Sequence, residues 1–511
     1  MSAWWQSAVI YQIYPRSFAD SDGDGVGDLA GAIDRLGHLA DLGVDALWLS
    51  PFYPSPMVDF GYDVADYTGV DPLFGDLATF DRLVAEAHGR GIRVLVDWVP
   101  NHSSDRHPWF EASRSSRDDP RRDWYVWRDG RPGGRPPNDW VSHFGEGPAW
   151  TLDPETGQWY LHVFASAQPD LNWANPEVES AMLDTLRFWL DRGVDGFRID
   201  VVQELGSVPD PPSPATPWSQ DQDWPCGHAI IRRVRGVLEE YDDRVAVGEV
   251  YVLDQRRVAS FLVTGDELHL AHDFVFLRCE WSADAFRAVI DEFTRLAPAP
   301  AWPTWCLENH DHSRVATRYG PGRARSAALL VLGLRGCAFL FQGQELGLPD
   351  ARVPPEAVVD LDGRDPERAP IPWEPPSTAG PGAGFTTGTP WLPPAGDAER
   401  LAASVQRDDP RSDLSFWRRL IALRRAHPAL GPAGAQRMLD SGADVLAWVR
   451  ETGDERLLVA INMSPERVLC DLTDLDDAPA RVLLSTDPGR PQDAARALGL
   501  APDEGVVVRL P

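Results

Sequence analysis

Residues 29–51, LAGAIDRLGHLADLGVDALWLSP, contain the structural unit that decides the fold. Their first part has apolar residues at the 3.6-residue spacing of one helix face, so we predict a helix over Leu29–Leu42. The apolar run Ala46–Pro51 follows after a short turn and predicts a buried strand. A helix that leads directly into a buried strand is the unit from which parallel sheets are built.

The same alternation continues along the chain. Further helical patterns occur at Thr79–Gly89, Val178–Arg192 and Ile230–Glu240. Eight apolar runs favour a closed (β/α)8 TIM barrel, since an open sheet more often has fewer strands. The predicted strands are Val9–Tyr14, Ala46–Pro51, Arg93–Val99, Gly196–Asp200, Val245–Val250, Phe274–Leu277, Thr304–Glu308 and Ala338–Gln342.

Two regions depart from this alternation. Asn101 to about Asp170 is rich in Trp, Pro, Gly and charge, which predicts a subdomain inserted after the third strand. After about Pro432 the chain changes to short strands separated by turns, which predicts a small antiparallel domain. The predicted domains are therefore a barrel over 1–100 and 171–430, an inserted subdomain over 101–170, and a C-terminal antiparallel β domain over 431–511.

The composition excludes several classes of function. The 511 residues include 48 Lys+Arg and 78 Asp+Glu, a formal net charge of -30, so long-range repulsion opposes nucleic acid and anionic membranes. Five widely spaced cysteines without a CxxC pair argue against a disulfide framework and a thiolate zinc site. With no visible secretory signal and no membrane-spanning run, we expect a cytoplasmic protein, either a monomer or a homodimer.

Carboxylates stand where several predicted strands end, and the reacting groups of a parallel barrel collect at that end. Arg198 and Asp200 are two residues apart on one strand, so their side chains share a face. A neighbouring guanidinium would hold Asp200 ionised and oriented, as a nucleophile requires. Glu249 follows an apolar run, a setting that suits a proton donor. Two carboxyl groups in these roles describe glycoside hydrolysis, with structural ion pairs as the alternative.

Short motifs elsewhere in the chain strengthen this interpretation. They are Gln12–Phe18 on the first strand, Gly61–Asp63 after the second, Gln168–Asn172 at the end of the insertion, and Gly363–Arg368. With the strand-end segments, these motifs resemble those of the α-amylase superfamily of glycoside hydrolases, in that family's order and over nearly the whole chain. The stretch QPDLN at Gln168–Asn172 resembles the oligo-1,6-glucosidase and α-glucosidase branch.

The resemblance implies a role for each matching residue. Asp200 is similar to the nucleophile, Glu249 to the acid/base, and Asp311 to the third carboxylate, which supports the distorted sugar. For two of the implied contacts, the phenylalanines, ordinary core packing is equally open. The residues implied to contact the substrate are Tyr62, Asp63, His102, Phe144, Phe164, Arg198, His310 and Arg368.

The implied activity is that of a retaining α-glucosidase. Asp63 and Arg368 together would recognise a non-reducing end, which implies exo-action on short α-glucosides without an organic cofactor. Val201 resembles the residue found after the nucleophile in enzymes that cut α-1,6 bonds, whereas the Pro-rich segment Pro209–Pro217 is unlike typical relatives and leaves the linkage open. A transglucosylase or sucrose isomerase, and a non-catalytic glycosidase-like protein, are the alternatives.

Residues 20–28, DSDGDGVGD, form an oxygen-rich loop like the start of a calcium-binding loop. In the α-glucosidase branch a similar loop holds a structural Ca²⁺ or Mg²⁺. The alternative is a tight glycine turn in which Asp28 caps the following helix. The implied metal ligands are Asp20, Asp22, Asp24, the carbonyl of Val26, and Asp28.

Overall fold

The computed structural model describes residues 2–144, 147–206, 225–471, 480–491, 494–495 and 497–511. The predicted segment Pro209–Pro217 lies outside these residues. The strands are β1 Val9–Ile13, β2 Ala46–Leu49, β3 Arg93–Trp98, β4 Trp127–Arg128, β5 Trp150–Leu152, β6 Trp159–Leu161, β7 Gly196–Ile199, β8 Val245–Glu249, β9 Leu270–His272, β10 Thr304–Trp305, β11 Cys337–Phe341, β12 Ala435–Met438, β13 Val445–Thr452, β14 Glu455–Asn462, β15 Val468–Asp471, β16 Ala480–Ser485, β17 Ala494–Ala495, β18 Ala497–Leu500 and β19 Gly505–Arg509.

Eight of these strands form one parallel sheet in the order β10-β11-β1-β2-β3-β7-β8-β9. Its two end strands, β9 and β10, lie next to each other and close the barrel. The predicted TIM barrel is therefore confirmed. Closure brings the carboxyl ends of all eight strands to one rim, where residues from distant parts of the chain can meet.

Helices follow most of the barrel strands and cover the outer face. None in the described ranges is long and apolar enough to cross a membrane. The helices are α1 Leu29–Asp34, α2 Leu36–Leu42, α3 Leu77–Gly89, α4 Pro108–Ser115, α5 Pro176–Asp191, α6 Pro225–Leu238, α7 Gln255–Ser260, α8 Phe274–Leu277, α9 Ala283–Leu296, α10 Val315–Arg318, α11 Ala324–Gly333, α12 Pro376–Ala379, α13 Ala398–Leu401, α14 Ala403–Arg407 and α15 Asp413–Ala426.

Two local predictions differ from the structure. The predicted strand Phe274–Leu277 is helix α8, and the sixth barrel strand is the preceding segment Leu270–His272. The apolar run fits either structure, but the Asp273 carboxylate accepts hydrogen bonds from the amides of Val275 and Phe276 and starts a helix. The predicted helix Leu29–Leu42 is interrupted at one residue and forms α1 and α2.

Both faces of the barrel strands are buried. Trp48, Leu95 and Val247 pack inside the barrel, whereas the neighbouring Leu47 and Val94 pack against the surrounding helices. Side chains alternate between the two faces of a strand, so two-sided burial requires a continuous apolar run. This is why strands that carry catalytic groups at their ends are apolar along their length.

Two smaller sheet regions flank the barrel. Within the insertion after β3, the strands β4, β6 and β5 form an antiparallel sheet in that order. The C-terminal region has a six-stranded antiparallel sheet, β12-β13-β14-β19-β16-β17, and the pair β15-β18. Helix α11, which is buried all round, lies between the barrel and the C-terminal sheet, so its apolar character reflects packing on two sides.

Candidate active site

One buried arginine joins three carboxylates at the rim of the barrel. Arg198, on β7, has its Nη1 atom 2.8 Å from Oδ1 of Asp97 and 2.5 Å from Oδ1 of Asp200. Its Nη2 atom lies 2.7 Å from Oε2 of Glu249, which ends the neighbouring strand β8. The residues predicted as nucleophile and acid/base are therefore held side by side on one guanidinium.

A second contact fixes Glu249 relative to Asp200. The amide of Val201, the residue after Asp200, donates a hydrogen bond of 3.1 Å to Oε2 of Glu249. Val201 has φ 39° and ψ 51°, the left-handed region, which is strained for a β-branched residue. The strained backbone at Val201 directs its amide towards Glu249 on β8. The resulting hydrogen bond helps to fix the distance between the carboxyl groups of Asp200 and Glu249.

The charges in this cluster do not balance. Three carboxylates surround one guanidinium, and all four groups are buried. Burial raises the pKa of Asp200 against the opposing effect of Arg198, and the Glu249 and Asp97 carboxylates add to the rise. Burial likewise raises the pKa of Asp97 to about 6. The cluster therefore retains a proton at a pH where isolated carboxyl groups would be ionised.

Asp311 lies in a different electrostatic setting. Its Oδ1 atom accepts hydrogen bonds from Arg364 at 3.0 Å and Arg368 at 2.8 Å, and its Oδ2 atom is 3.2 Å from Nε2 of His310. Burial opposes ionisation here too, but His310, Arg364 and Arg368 together lower the pKa of Asp311. Asp311 is consequently ionised throughout the physiological range.

Three of the predicted carboxylates, Asp200, Glu249 and Asp311, open onto one cavity of about 180 Å³ at the barrel rim. Of the predicted substrate contacts, Tyr62, His102, Phe144 and Phe164 line this cavity, and Phe164 packs against His102 with ring centroids 5.1 Å apart. The full lining is Asp59, Tyr62, His102, His143, Phe144, Phe164, Asp200, Val201, Gln203, Glu249, Tyr251, Asp311, His312, Asp362 and Arg364.

Arg198 and His310 lie behind this wall. Gln12 donates its side-chain amide to Nδ1 of His310 at 2.8 Å, so Nε2 of the neutral ring carries the proton. That nitrogen is 2.6 Å from the hydroxyl of Tyr62, which in turn donates to Asp97 at 3.0 Å. Burial lowers the pKa of His310 well below its usual range, and this keeps the ring neutral.

The structure does not place Asp63 and Arg368 at the cavity wall. The Asp63 carboxylate accepts hydrogen bonds from the Ser55 hydroxyl and from the amides of Val58 and Asp59, at 2.8 to 3.0 Å. Arg368 is fully buried and donates to the carbonyl of His310, as well as to Asp311. Both side chains support the wall from behind.

Asp59 and Arg364, each four residues earlier, occupy the position expected of Asp63 and Arg368. Nη2 of Arg364 is 2.7 Å from Oδ1 of Asp59, and both side chains line the cavity. Asp59 lies four residues before Asp63 in the same loop, and Arg364 lies four residues before Arg368. The first place offers two acids and the second offers two arginines, and only the fold decides which acid and which arginine face the cavity.

Gln168 is a further contact that the sequence analysis passed over. Its side-chain amide donates to Nε2 of His102 at 3.1 Å and to Oδ2 of Asp59 at 3.0 Å. Burial lowers the pKa of His102 to about 3, so the ring is neutral and can accept this bond. Gln168 belongs to the quoted QPDLN stretch, so the motif itself carried the signal.

The predicted metal loop brings three carboxylates together. Oxygen atoms of Asp20, Asp22 and Asp28 lie within 4.8 Å of one another, a spacing that fits oxygen ligands of a divalent cation. Asp24 is not part of this group, and its carboxylate accepts the amide of Val26 at 2.7 Å. Asp28 also caps α1 by accepting the amide of Gly31 at 2.7 Å, so the helix-cap alternative is realised as well.

A TIM barrel with a buried carboxylate pair on a shared arginine, at the mouth of a cavity, defines a glycosidase architecture. The chain belongs to the alpha-amylase family of glycoside hydrolases, since residues 12–432 match the family described as alpha amylase, catalytic domain.

Similar proteins support this assignment along the chain. A probable alpha-glucosidase of Rhizobium meliloti (strain 1021) is 42% identical over 92% of this chain and 91% of its own. An oligo-1,6-glucosidase of Heyndrickxia coagulans is 35% identical over 93% and 94%. The crystal structure of the alpha-glucosyl transfer enzyme XgtA is 40% identical, covers 100% of both chains and has a TM-score of 0.90.

Proposed function

We propose that this protein is a retaining, exo-acting α-glucosidase that removes glucose from the non-reducing end of short α-glucosides. The observation that carries the proposal is the guanidinium of Arg198, which contacts Asp200 and Glu249 at once. Retaining glycosidases need two carboxyl groups only about 5–5.5 Å apart, whereas inverting enzymes leave room for a water between them. Two carboxylates on neighbouring strands that share one guanidinium match the closer spacing.

The reaction proceeds in two balanced steps. Asp200 attacks the anomeric carbon while the glycosidic C–O bond breaks, and Glu249 gives its proton to the departing oxygen. Glu249 then removes a proton from water, whose oxygen attacks the same carbon and displaces Asp200. Two inversions return the α-configuration.

Exo-action is supported by the charged groups gathered in one part of the cavity. The Asp59–Arg364 ion pair and ionised Asp311 meet there, with His102 and Tyr62 also on the cavity wall. Carboxylates and a guanidinium form directional hydrogen bonds with sugar hydroxyls, and a non-reducing terminal glucose offers them a free hydroxyl that a unit inside a chain lacks.

The proposal is tested with Asp200→Asn and with the anomer of the product. The variant folds but loses turnover of 4-nitrophenyl α-glucoside by at least about 10³-fold, because the amide cannot form the covalent intermediate. Proton NMR in the first minutes of wild-type turnover of maltose should show α-glucose. Initial release of β-glucose, or wild-type activity in the variant, would contradict the mechanism.

The second candidate is glucosyl transfer from the same intermediate to a sugar hydroxyl, as in a transglucosylase or sucrose isomerase. Similarity to an alpha-glucosyl transfer enzyme favours it. Product analysis on sucrose and on concentrated maltose separates the two, because isomers or longer oligomers would indicate transfer.

Retention of Asp200, Glu249 and Asp311 around one cavity argues against a non-catalytic protein. The linkage remains a prediction from Val201, to be tested on maltose, isomaltose, sucrose and trehalose.

We also propose that Asp20, Asp22 and Asp28 bind a structural Ca²⁺ or Mg²⁺ away from the chemistry. A cation present at a hundred times its Kd would add about 2.7 kcal/mol of unfolding free energy, or roughly 2–3 °C in Tm for a chain of this length. Asp22→Asn should abolish the Ca²⁺-dependent rise in Tm, whereas Asp24→Asn, outside the group, should retain it. Cytoplasmic location and a monomeric or homodimeric state remain predictions from the sequence.

A further inference from the structure

Exposed aliphatic side chains lie close in the sequence to residues that line the cavity. In the described part of the chain, ten Val or Leu residues are exposed, and six of them lie within four positions of a cavity-lining residue. Soluble proteins rarely concentrate exposed apolar surface without a binding role. The six residues, here named the apolar rim, are Val58, Val141, Leu253, Val358, Val359 and Leu361.

The strongest part of the rim is the segment Val358–Asp362. Leu361 is 67% exposed and Val359 is 48% exposed, although Asp360 between them is buried. The Asp360 carboxylate accepts hydrogen bonds from Arg364 at 2.7 and 3.0 Å, and Asp362 lines the cavity. The segment is thus fixed to the cavity wall with its aliphatic side chains turned outward.

Asp365 holds the same segment from its backbone. Its carboxylate accepts hydrogen bonds from the amides of Val359 at 2.7 Å and Asp360 at 3.1 Å. A segment anchored by two carboxylates loses little conformational entropy when a ligand packs on it. The exposed leucine and valine are therefore a preformed surface and need no rearrangement to bind.

A second loop also carries an exposed residue of the rim. Leu253 is 53% exposed and follows Tyr251, which lines the cavity on the side of Glu249. Tyr251 and Asp362 line the same cavity, so the two loops meet at its wall. The surface between them adjoins the acid/base, where the leaving group must sit.

We propose that this rim binds an apolar aglycone, so that the favoured substrates or acceptors are alkyl or aryl α-glucosides and alcohols. The inference rests on the proposed function and adds the chemical class of the leaving group to it. A second sugar would place hydroxyl groups against aliphatic side chains that offer no hydrogen bonds, whereas an alkyl chain or aromatic ring would bury apolar area on both sides.

The first test is a chain-length series on the wild-type protein. Hydrolysis of methyl, butyl and hexyl α-glucosides is compared with hydrolysis of maltose. On a half-buried rim, kcat/KM should rise by about twofold for each added methylene. The share of transfer to 1-hexanol should likewise exceed that to methanol at equal concentration.

The second test removes the rim and keeps the cavity. In Val359→Ser/Leu361→Ser, kcat/KM for hexyl α-glucoside should fall about tenfold, and that for methyl α-glucoside less than twofold. The matched control is Val405→Ser/Leu469→Ser, which changes one exposed valine and one exposed leucine outside the rim. This control should leave the whole series unchanged.

Three results would overturn the inference. One is a wild-type series with no dependence on chain length, and another is an equal loss for methyl and hexyl glucosides in the rim variant. The third is a dimer, seen by light scattering, that the rim variant dissociates without changing alkyl selectivity, since a second copy would then cover the rim. If the wild-type protein cleaves neither maltose nor any alkyl glucoside, both the proposed function and this inference are wrong. If it cleaves them without a preference for longer alkyl chains, only the inference is wrong.

Discussion

Two arginine–carboxylate clusters border the cavity, and they differ in charge balance. Around Arg198, three carboxylates share one guanidinium, and burial raises the pKa of Asp97 and Asp200. Around Arg364 and Arg368, two guanidiniums contact three carboxylates, Asp59, Asp311 and Asp360, and the pKa of Asp311 is lowered although burial raises that of Asp59. The second guanidinium is the physical difference that keeps Asp311 ionised, whereas burial favours the protonated forms of Asp97 and Asp200.

The difference separates reaction from recognition. A cluster with surplus negative charge keeps a proton that it can release, which suits acid/base work. Asp311, which two guanidiniums contact, stays ionised, and this suits binding of sugar hydroxyls. The hydroxyl of Tyr62 connects the two, since it contacts Asp97 on one side and His310 on the other.

The largest expected effect comes from Glu249→Gln in the reactive cluster. The amide has no proton to give, so kcat/KM for maltose should fall by about 10³-fold. A glucoside with a good leaving group, such as α-glucosyl fluoride, needs no protonation and should lose much less in the first step. Added azide should then yield α-glucosyl azide, measured by NMR, because azide attacks the β-linked intermediate on Asp200 with inversion. Equal losses for both substrates would mean that Glu249 does not act as the acid.

An effect of intermediate size is expected in the cluster around Arg364. Asp59→Asn removes one of the two cavity-lining carboxylates that contact Arg364, and kcat/KM on maltose should fall by about 10²-fold through a transition-state contact. Asp63→Asn is the matched control, because its carboxylate only binds the loop from behind.

Asp63→Asn should lower Tm but should leave kcat/KM on maltose close to the wild-type value. Loss of hydrogen bonds from a buried carboxylate destabilises by about 1–3 kcal/mol, while the cavity wall keeps its groups. If Asp63→Asn loses as much activity as Asp59→Asn at unchanged stability, the assignment of the cavity wall to Asp59 is wrong.

The fold could be predicted from the sequence because the same helix-and-strand pattern occurs many times along the chain. Alternating helical and apolar segments predict the barrel even though two elements were misassigned. The run Phe274–Leu277 is apolar enough for either structure, and a single cap at Asp273 decides. A repeated pattern tolerates such an error, since seven other strands fix the architecture.

The site was less predictable because it depends on which side chains point into the cavity. Asp200, Glu249 and Asp311 follow from position at strand ends, where the barrel brings them together. Asp59 and Arg364 could not be separated from Asp63 and Arg368, since loop residues have no periodicity to show which side chain faces the cavity.

The smallest effect, and the sharpest test of the charge comparison, is the pH dependence of stability in Asp97→Asn. The raised pKa of Asp97, about 6, means that the folded state binds its proton more tightly than the unfolded state. Its contribution to stability is present below the unfolded pKa and is lost as pH rises through about 6. The free energy of unfolding of the wild-type protein, relative to the variant, should thus decline by about 2 kcal/mol between pH 4 and 7.

A control of opposite sign is Asp153→Asn. Burial opposes ionisation of Asp153, but hydrogen bonds from Thr156 and Arg114 lower its pKa, so its contribution is present at neutral pH and is lost as pH falls. Urea unfolding at a series of pH values measures both variants.

In Asp97→Asn the acid limb of kcat/KM should also move to lower pH, since one negative charge beside Asp200 is gone. A relative stability that rises with pH in the Asp97 series would show that Arg198 outweighs burial, and the two clusters would then be electrostatically alike.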